Sequence, residues 1–71
     1  MKTGRYRHEK GRDDIVRGVA RHSETEEELV VNQQDYGDRS LWVRPQAMFL
    51  EIVPVDGQTI PRFQFVGEPR R

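Results

Sequence analysis

Glu51-Ile52-Val53-Pro54-Val55-Asp56-Gly57 is the stretch on which the fold turns. A β-rich run ends in Asp-Gly, a pair that accepts the positive φ angles of a two-residue type I′ hairpin turn. Ile60 to Val66 supplies the return, with Pro61, Phe63 and Phe65 on one face and Ile60, Arg62, Gln64 and Val66 on the other. Pro54 and Pro61 have no N–H to donate to a ladder, so this hairpin belongs at a sheet edge.

The segments before it read the same way. Gly4 to His8 makes a first strand, and Lys10-Gly11-Arg12-Asp13 makes the turn after it. Ile15 to His22 is a second strand, with Ile15, Arg17, Val19 and Arg21 on one face and Val16, Gly18, Ala20 and His22 on the other. Ser23 to Glu28 has a capping pattern, Ser23 with Glu26, but no apolar stripe for a helix to bury. It reads as a charged connection into the β-rich run Leu29-Val30-Val31. Asn32 to Ser40 is polar and reads as a loop through Tyr36-Gly37-Asp38. Leu41-Trp42-Val43-Arg44 is a short strand that Pro45 stops. Pro45 to Leu50 is one helical turn, expected to bring Met48 and Phe49 inward. The pattern predicts an all-β domain over residues 1–66, followed by a flexible tail, residues 67–71. Its architecture is a small SH3-like barrel or a rolled antiparallel sheet of five to six short strands with one short helical turn.

Composition narrows the class. Seventy-one residues allow one modest core, and the absence of cysteine removes disulfides and thiolate metal sites as reinforcement. No apolar run approaches the roughly 20 residues that span a bilayer. The basic start, Met1-Lys2-Thr3-Gly4-Arg5, leads into no apolar segment, so a secretory signal is not expected and a cytoplasmic location is. Net charge is zero but unevenly spread. Residues 1–22 are basic, residues 23–38 contain acids and no Lys or Arg, and residues 39–71 are mildly basic. This is unlike the uniform charge of a dedicated nucleic-acid coat, and it leaves room for one basic face.

As a set, several motifs are distinctive. They are Tyr6-Arg7-His8 with Lys10-Gly11, Val19-Ala20-Arg21-His22-Ser23-Glu24-Thr25, Glu28-Leu29-Val30-Val31, Leu41-Trp42-Val43-Arg44-Pro45 with Met48-Phe49, and Val55-Asp56-Gly57 with Pro61-Arg62-Phe63. In this order, over about residues 4 to 66, the chain resembles a family of short bacterial proteins known only as domain of unknown function family 1653. The resemblance implies a small bacterial domain, alone or joined to others, and brings no activity, cofactor or catalytic residue with it. Where the family usually carries an aromatic or apolar pair after the Leu-Val-Val run, this chain has Asn32-Gln33-Gln34. Asp13-Asp14 stands in place of a commonly uncharged stretch with a Tyr.

Catalytic chemistry finds little support. Ser23 beside His22 is a turn residue, because sequence neighbours on a strand face opposite ways. Asp13-Asp14 and Glu26-Glu27-Glu28 read as solvated carboxylates, with no burial to bring them into catalytic range. His8, His22 and Glu24 make too short a pattern for a metal site. No catalytic residue, metal ligand or cofactor is assigned, and a non-enzymatic module is the favoured class.

The informative set is aromatic and cationic: Tyr6, Arg7, His8, Arg21, His22, Tyr36, Trp42 and Arg44. Aromatic rings beside arginines stack bases while guanidinium groups meet phosphate. Nucleic acid or another anionic ligand is the first expectation for such a surface, with Arg7, Arg21 and Arg44 as the cations. A protein partner taken into an aromatic groove or onto a sheet edge is the alternative. A competing demand falls on Trp42, the single tryptophan of a small chain, which is expected to be needed for burial. Monomer and homodimer both remain open.

Overall fold

The computed structural model describes residues 1–67. The expected tail therefore lies outside the described residues, except for Gly67, which ends a strand. Among the described residues, seven strands and one helical turn follow in chain order. They are β1 (Gly4–His8), β2 (Asp13–Arg21), β3 (Glu28–Gln34), β4 (Leu41–Pro45), α1 (Gln46–Phe49), β5 (Ile52–Val55), β6 (Gln58–Pro61) and β7 (Phe63–Gly67). The main sheet has the order β4-β3-β2-β1-β7 and is antiparallel throughout. β5 and β6 form a separate two-stranded ribbon. No helix among the described residues is long and apolar enough to cross a membrane.

The Asp-Gly hairpin forms as its sequence demands. Asp56 has φ 50° and Gly57 φ 80°, both positive as a type I′ turn requires. Pro54 and Pro61 sit in the ribbon, where each strand has only one partner and a missing N–H costs no shared ladder bond. The return does not run unbroken to Val66. It breaks at Arg62, whose N–H donates to the Glu51 carbonyl (2.8 Å) and whose carbonyl accepts from the Glu9 N–H (2.8 Å). These two bonds let the chain leave the ribbon and re-enter the main sheet as β7.

The main sheet is rolled but not closed into a barrel. In a flat sheet of this order, β4 and β7 would stand about 19 Å apart. Yet the Arg44 guanidinium on β4 lies 5.1 Å from the ring centre of Phe63 on β7. The sheet therefore curls until its two edge strands meet through side chains, with no backbone ladder between them. Of the two architectures expected, the rolled sheet is the one present, and SH3-type closure is not formed.

The core lies on the inner face of the curl. Tyr6, Val16, Val30, Phe49 and Phe63 are buried together, with Phe65 packed against them. Phe49 and Phe63 stack with ring centres 4.2 Å apart and planes 3° off parallel. Tyr6 meets Phe49 and Phe65 edge-on, each at 5.3 Å. Its hydroxyl donates to the Lys2 carbonyl at 2.8 Å, so the ring is buried without stranding its polar end. Phe49 comes from α1, which starts directly after Pro45. The turn therefore lays one aromatic ring over one half of the inner face.

Three local expectations are corrected, two of them by strand pairing. Asn32 to Gln34 are strand, not loop, because β3 continues in register against Asp14, Ile15 and Val16. Met48 points outward and is 52% exposed, since one helical turn can direct only part of its surface to the core, and Phe49 takes that place. In β2 the register shifts between Val16 and Gly18, leaving Arg17 as an extra residue. A one-residue bulge reverses the faces beyond it, so Val19 pairs with Val30 rather than sharing the face of Ile15.

Gly4 shows how close β1 and β7 run. It has φ +137°, and a Cβ there would lie 2.7 Å from the Gly67 carbonyl oxygen and 2.8 Å from the Phe65 ring. Gly4→Ala is therefore expected to destabilise the domain strongly, whereas Gly18→Ala, whose Cβ meets nothing within 4 Å, should change stability little. Phe49→Ala is expected to cost about 3–5 kcal/mol, enough to unfold much of so small a domain. Urea unfolding followed by circular dichroism measures all three.

Candidate functional site

Strand alternation and register decide what shares the inner face with the core. Tyr6 stands opposite Asp14 and Phe65, and Asp14 opposite Gln34. Val16, Asn32 and Trp42 form a second row, while His8 pairs with Phe63 and Val30 with Arg44. The apolar members of this face lie under Phe49. The polar members continue past it and line an open pocket of about 670 Å³. His8, Asp14, Asn32, Trp42, Arg44 and Phe63 shape its floor and walls, and Lys10, Arg12, Gln34 and Tyr36 complete its rim. The volume falls within the range usual for small-molecule sites.

The floor is a buried polar pair. Asp14 is 5% exposed and Asn32 1%. The Asn32 amide Nδ2 donates to Asp14 Oδ2. Asn32 Oδ1 is buried without a hydrogen-bond partner among the described residues, and so is Arg44 Nε. Buried polar atoms are normally paired, so two unmatched groups lining one pocket are notable. Burial raises the Asp14 pKa, opposed by the Asn32 hydrogen bond and by the charges of Arg44 and His8. The expectation that Asp13-Asp14 is a solvated pair fails for Asp14, because its strand position turns it to the covered face.

The walls are aromatic and cationic. His8 packs edge-on to Phe63 at 4.8 Å, and its Nδ1 accepts the Lys10 backbone N–H at 3.0 Å. That bond occupies Nδ1 as an acceptor and fits a neutral ring protonated on Nε2. Burial lowers the His8 pKa, with Glu9 opposing and Arg62, Arg44 and Lys10 reinforcing. Arg12 lies over the Tyr36 ring at 4.8 Å. Trp42 is 53% exposed, contrary to its expected burial, because Phe49 and Phe63 already fill the space above the valines. Its indole is nonetheless held: Nε1–H donates to Ser40 Oγ at 2.9 Å, and that hydroxyl donates to Gln34 Oε1 at 3.4 Å.

The pocket's cations are unpaired ones. Arg5 and Arg7 pair with Asp13, Arg39 with Asp35, and Arg62 with Glu51. Lys10, Arg12 and Arg44 form no ion pair among the described residues. Three cations therefore face one buried carboxylate across the pocket.

Of the eight residues singled out in the sequence, His8, Tyr36, Trp42 and Arg44 come together here. Tyr6 is 8% exposed and belongs to the core. Arg7 lies on the outer face, where its Nε donates to Asp13 at 2.8 Å; this contact raises the Arg7 pKa and lowers that of Asp13. Arg21 is at the far end of β2, 3.9 Å from Glu26. His22 follows it, with Nδ1 accepting the Glu24 and Thr25 N–H groups at 3.1 and 3.3 Å. His8 and His22 therefore sit at opposite ends of β2, on the order of 25 Å apart at about 3.3 Å per residue. The structure does not bring Arg7, Arg21 and Arg44 onto one face, and no cluster of three or more potential ligands able to hold a metal occurs among the described residues. Sequence reading missed Lys10, Arg12, Asp14, Asn32, Gln34 and Phe63. The signal for three of them was present, since Asp14, Asn32 and Gln34 alternate with the core valines Val16 and Val30.

Comparison with known proteins agrees with this fold. The family model described as protein of unknown function (DUF1653) matches residues 4–65, and the chain belongs to that family. A crystal structure of a DUF1653 protein from Bordetella bronchiseptica is similar, with 33% sequence identity and a TM-score of 0.88. The match covers 96% of this chain and 90% of that one. No curated protein matches.

Asp14 provides a direct check on the floor of the pocket. A carboxyl with a raised folded-state pKa holds its proton more tightly folded than unfolded. Its contribution to stability is present below the unfolded value of about 3.9 and is lost as pH rises through the raised value. Asp14→Asn is therefore expected to be more stable than wild type at pH 7, with the difference vanishing in acid. Urea unfolding of both proteins at a series of pH values reads it; equal stability at every pH would mean that burial of this carboxylate has no net cost.

Proposed function

We propose that this member of the DUF1653 family is a non-enzymatic binding module whose pocket takes a nucleotide unit, free or within single-stranded RNA. One observation carries the reading: three cations without carboxylate partners, Lys10, Arg12 and Arg44, ring the same pocket as the half-exposed Trp42. Phosphate meets guanidinium and ammonium groups, and a base stacks on an indole face. The buried polar floor adds hydrogen-bonding groups to the lining.

A second reading has its own observation. β4 is an edge strand, and Leu41 and Val43 on its outer face are 65% and 59% exposed. An extended peptide adding to that edge would gain ladder hydrogen bonds and two apolar contacts. Leu41→Lys with Val43→Lys would abolish such binding and leave the pocket intact.

NMR titration of labelled protein with a pool of the four ribonucleoside 5′-monophosphates at low salt separates the two. Shifts are expected at His8, Asp14, Asn32, Arg44 and the Trp42 indole, diminishing as salt screens the charges. Arg44→Ala is expected to weaken binding about tenfold or more, the loss typical of a charged hydrogen-bonding partner, whereas Arg21→Ala should leave it unchanged. A spectrum unmoved by the pool, with or without a short RNA, overturns the nucleotide reading.

A further inference from the structure

We propose that the pocket selects guanine, reading its edge through the Asp14 carboxylate and the Asn32 carbonyl oxygen while Lys10, Arg12 and Arg44 hold the attached phosphate. This rests on the reading of the pocket as a nucleotide site and adds which base it takes.

The argument is one of matched hydrogen-bonding capacity. Asn32 Nδ2 occupies Asp14 Oδ2 and fixes the carboxylate's orientation. Asp14 Oδ1 makes no hydrogen bond among the described residues, and Asn32 Oδ1 has none. The floor therefore has acceptor capacity to spare and asks for donors. A cationic donor is disfavoured, because Lys10, Arg12 and Arg44 line the same space. The donors must sit on a neutral group.

Among the common bases, guanine alone presents two adjacent donors on one edge, its ring N–H and its exocyclic amino group. Adenine and cytosine each set an amino group beside a ring-nitrogen acceptor, which a carboxylate repels. Uracil offers one N–H between two carbonyl oxygens. The two donors of guanine's edge match the two unfilled acceptors of the floor, Asp14 Oδ1 and Asn32 Oδ1, one each. Trp42 and Tyr36 supply ring surfaces beside the same floor. On the opposite side of the balance, Arg44 Nε is a buried donor without a partner and suits a phosphate oxygen.

Removing one ligand donor from a site built to bind it leaves a buried acceptor unmatched, which is why such sites discriminate strongly. Inosine monophosphate is guanosine monophosphate without the exocyclic amino group, so it is the sharpest probe. Calorimetric titration of the full chain with guanosine, inosine and adenosine 5′-monophosphates, at low salt and pH 7.5, is the test. Guanosine monophosphate is expected to bind at least tenfold more tightly than either of the others. Asp14→Asn is expected to bring it down to the level of inosine monophosphate and to abolish its preference over adenosine monophosphate. A phosphorylated guanine dinucleotide run alongside tells a free nucleotide from the end of an RNA strand. Should Asp14→Asn not fold, the wild-type ratio of guanosine to inosine monophosphate still decides. Equal binding of all three nucleotides overturns the guanine proposal and leaves the nucleotide reading standing. Binding of none overturns both.

Discussion

Phe49 lying flat on Phe63 is the contact on which the arrangement depends. One residue of a four-residue helical turn reaches the strand at the far edge of the main sheet and stacks there. The turn is too short to be stable alone and borrows its order from that stacking. The stack in turn covers Val16 and Val30 and holds Tyr6 edge-on. Because the cover is a single ring, it extends over only half of the inner face. The other half is open by the same geometry, so core and pocket are two ends of one surface.

This division explains the polar residues on a face that otherwise builds a core. A domain of this size has little apolar area to spare, and placing Asp14 and Asn32 at inner-face positions works against stability. Valine or leucine at those positions would extend the core. A buried carboxylate with its pKa raised by desolvation, next to an amide oxygen without a partner, is a local conflict of the kind that marks binding sites rather than scaffolds. The outer face carries its charges differently. There Arg5 and Arg7 close on Asp13, the Arg5 contact part-buried and the Arg7 contact exposed, and where the ribbon meets the main sheet Arg62 pairs with Glu51; the exposed contacts add little energy.

Much of this was legible in the sequence. The Asp56-Gly57 turn, the two ribbon prolines, the charged link at Ser23–Glu28 and the turn after Pro45 all follow from local chemistry that acts within a few residues. The errors came where distant pairing overrides local character. Asn32-Gln33-Gln34 has the composition of a loop but is held as strand by β2 and β4. The bulge at Arg17 leaves no mark in composition, yet it reverses the faces of everything beyond it. Trp42 was expected inside on grounds of size, but three phenylalanines and Tyr6 had already supplied the aromatic volume. Half of the expected surface residues gathered at the pocket, because aromatic and cationic character can be read from sequence. Which of them share a face cannot be read without the register, and so Arg7 and Arg21 were grouped with Arg44 although they lie elsewhere.

The incomplete closure of the main sheet bears on how the pocket behaves mechanically. Its walls come from the two unjoined edges, with Trp42 and Arg44 on β4 and Phe63 on β7, and only side chains bridge the gap. In a closed barrel a ring of backbone hydrogen bonds would set the bore. Here the bore is set by how tightly the sheet curls, which is a soft coordinate. A molecule touching both walls acts as the missing stave: it fixes the curvature and is gripped by it. Occupancy and curl are thus two readings of one equilibrium, and filling the pocket would also strengthen the fold by mass action.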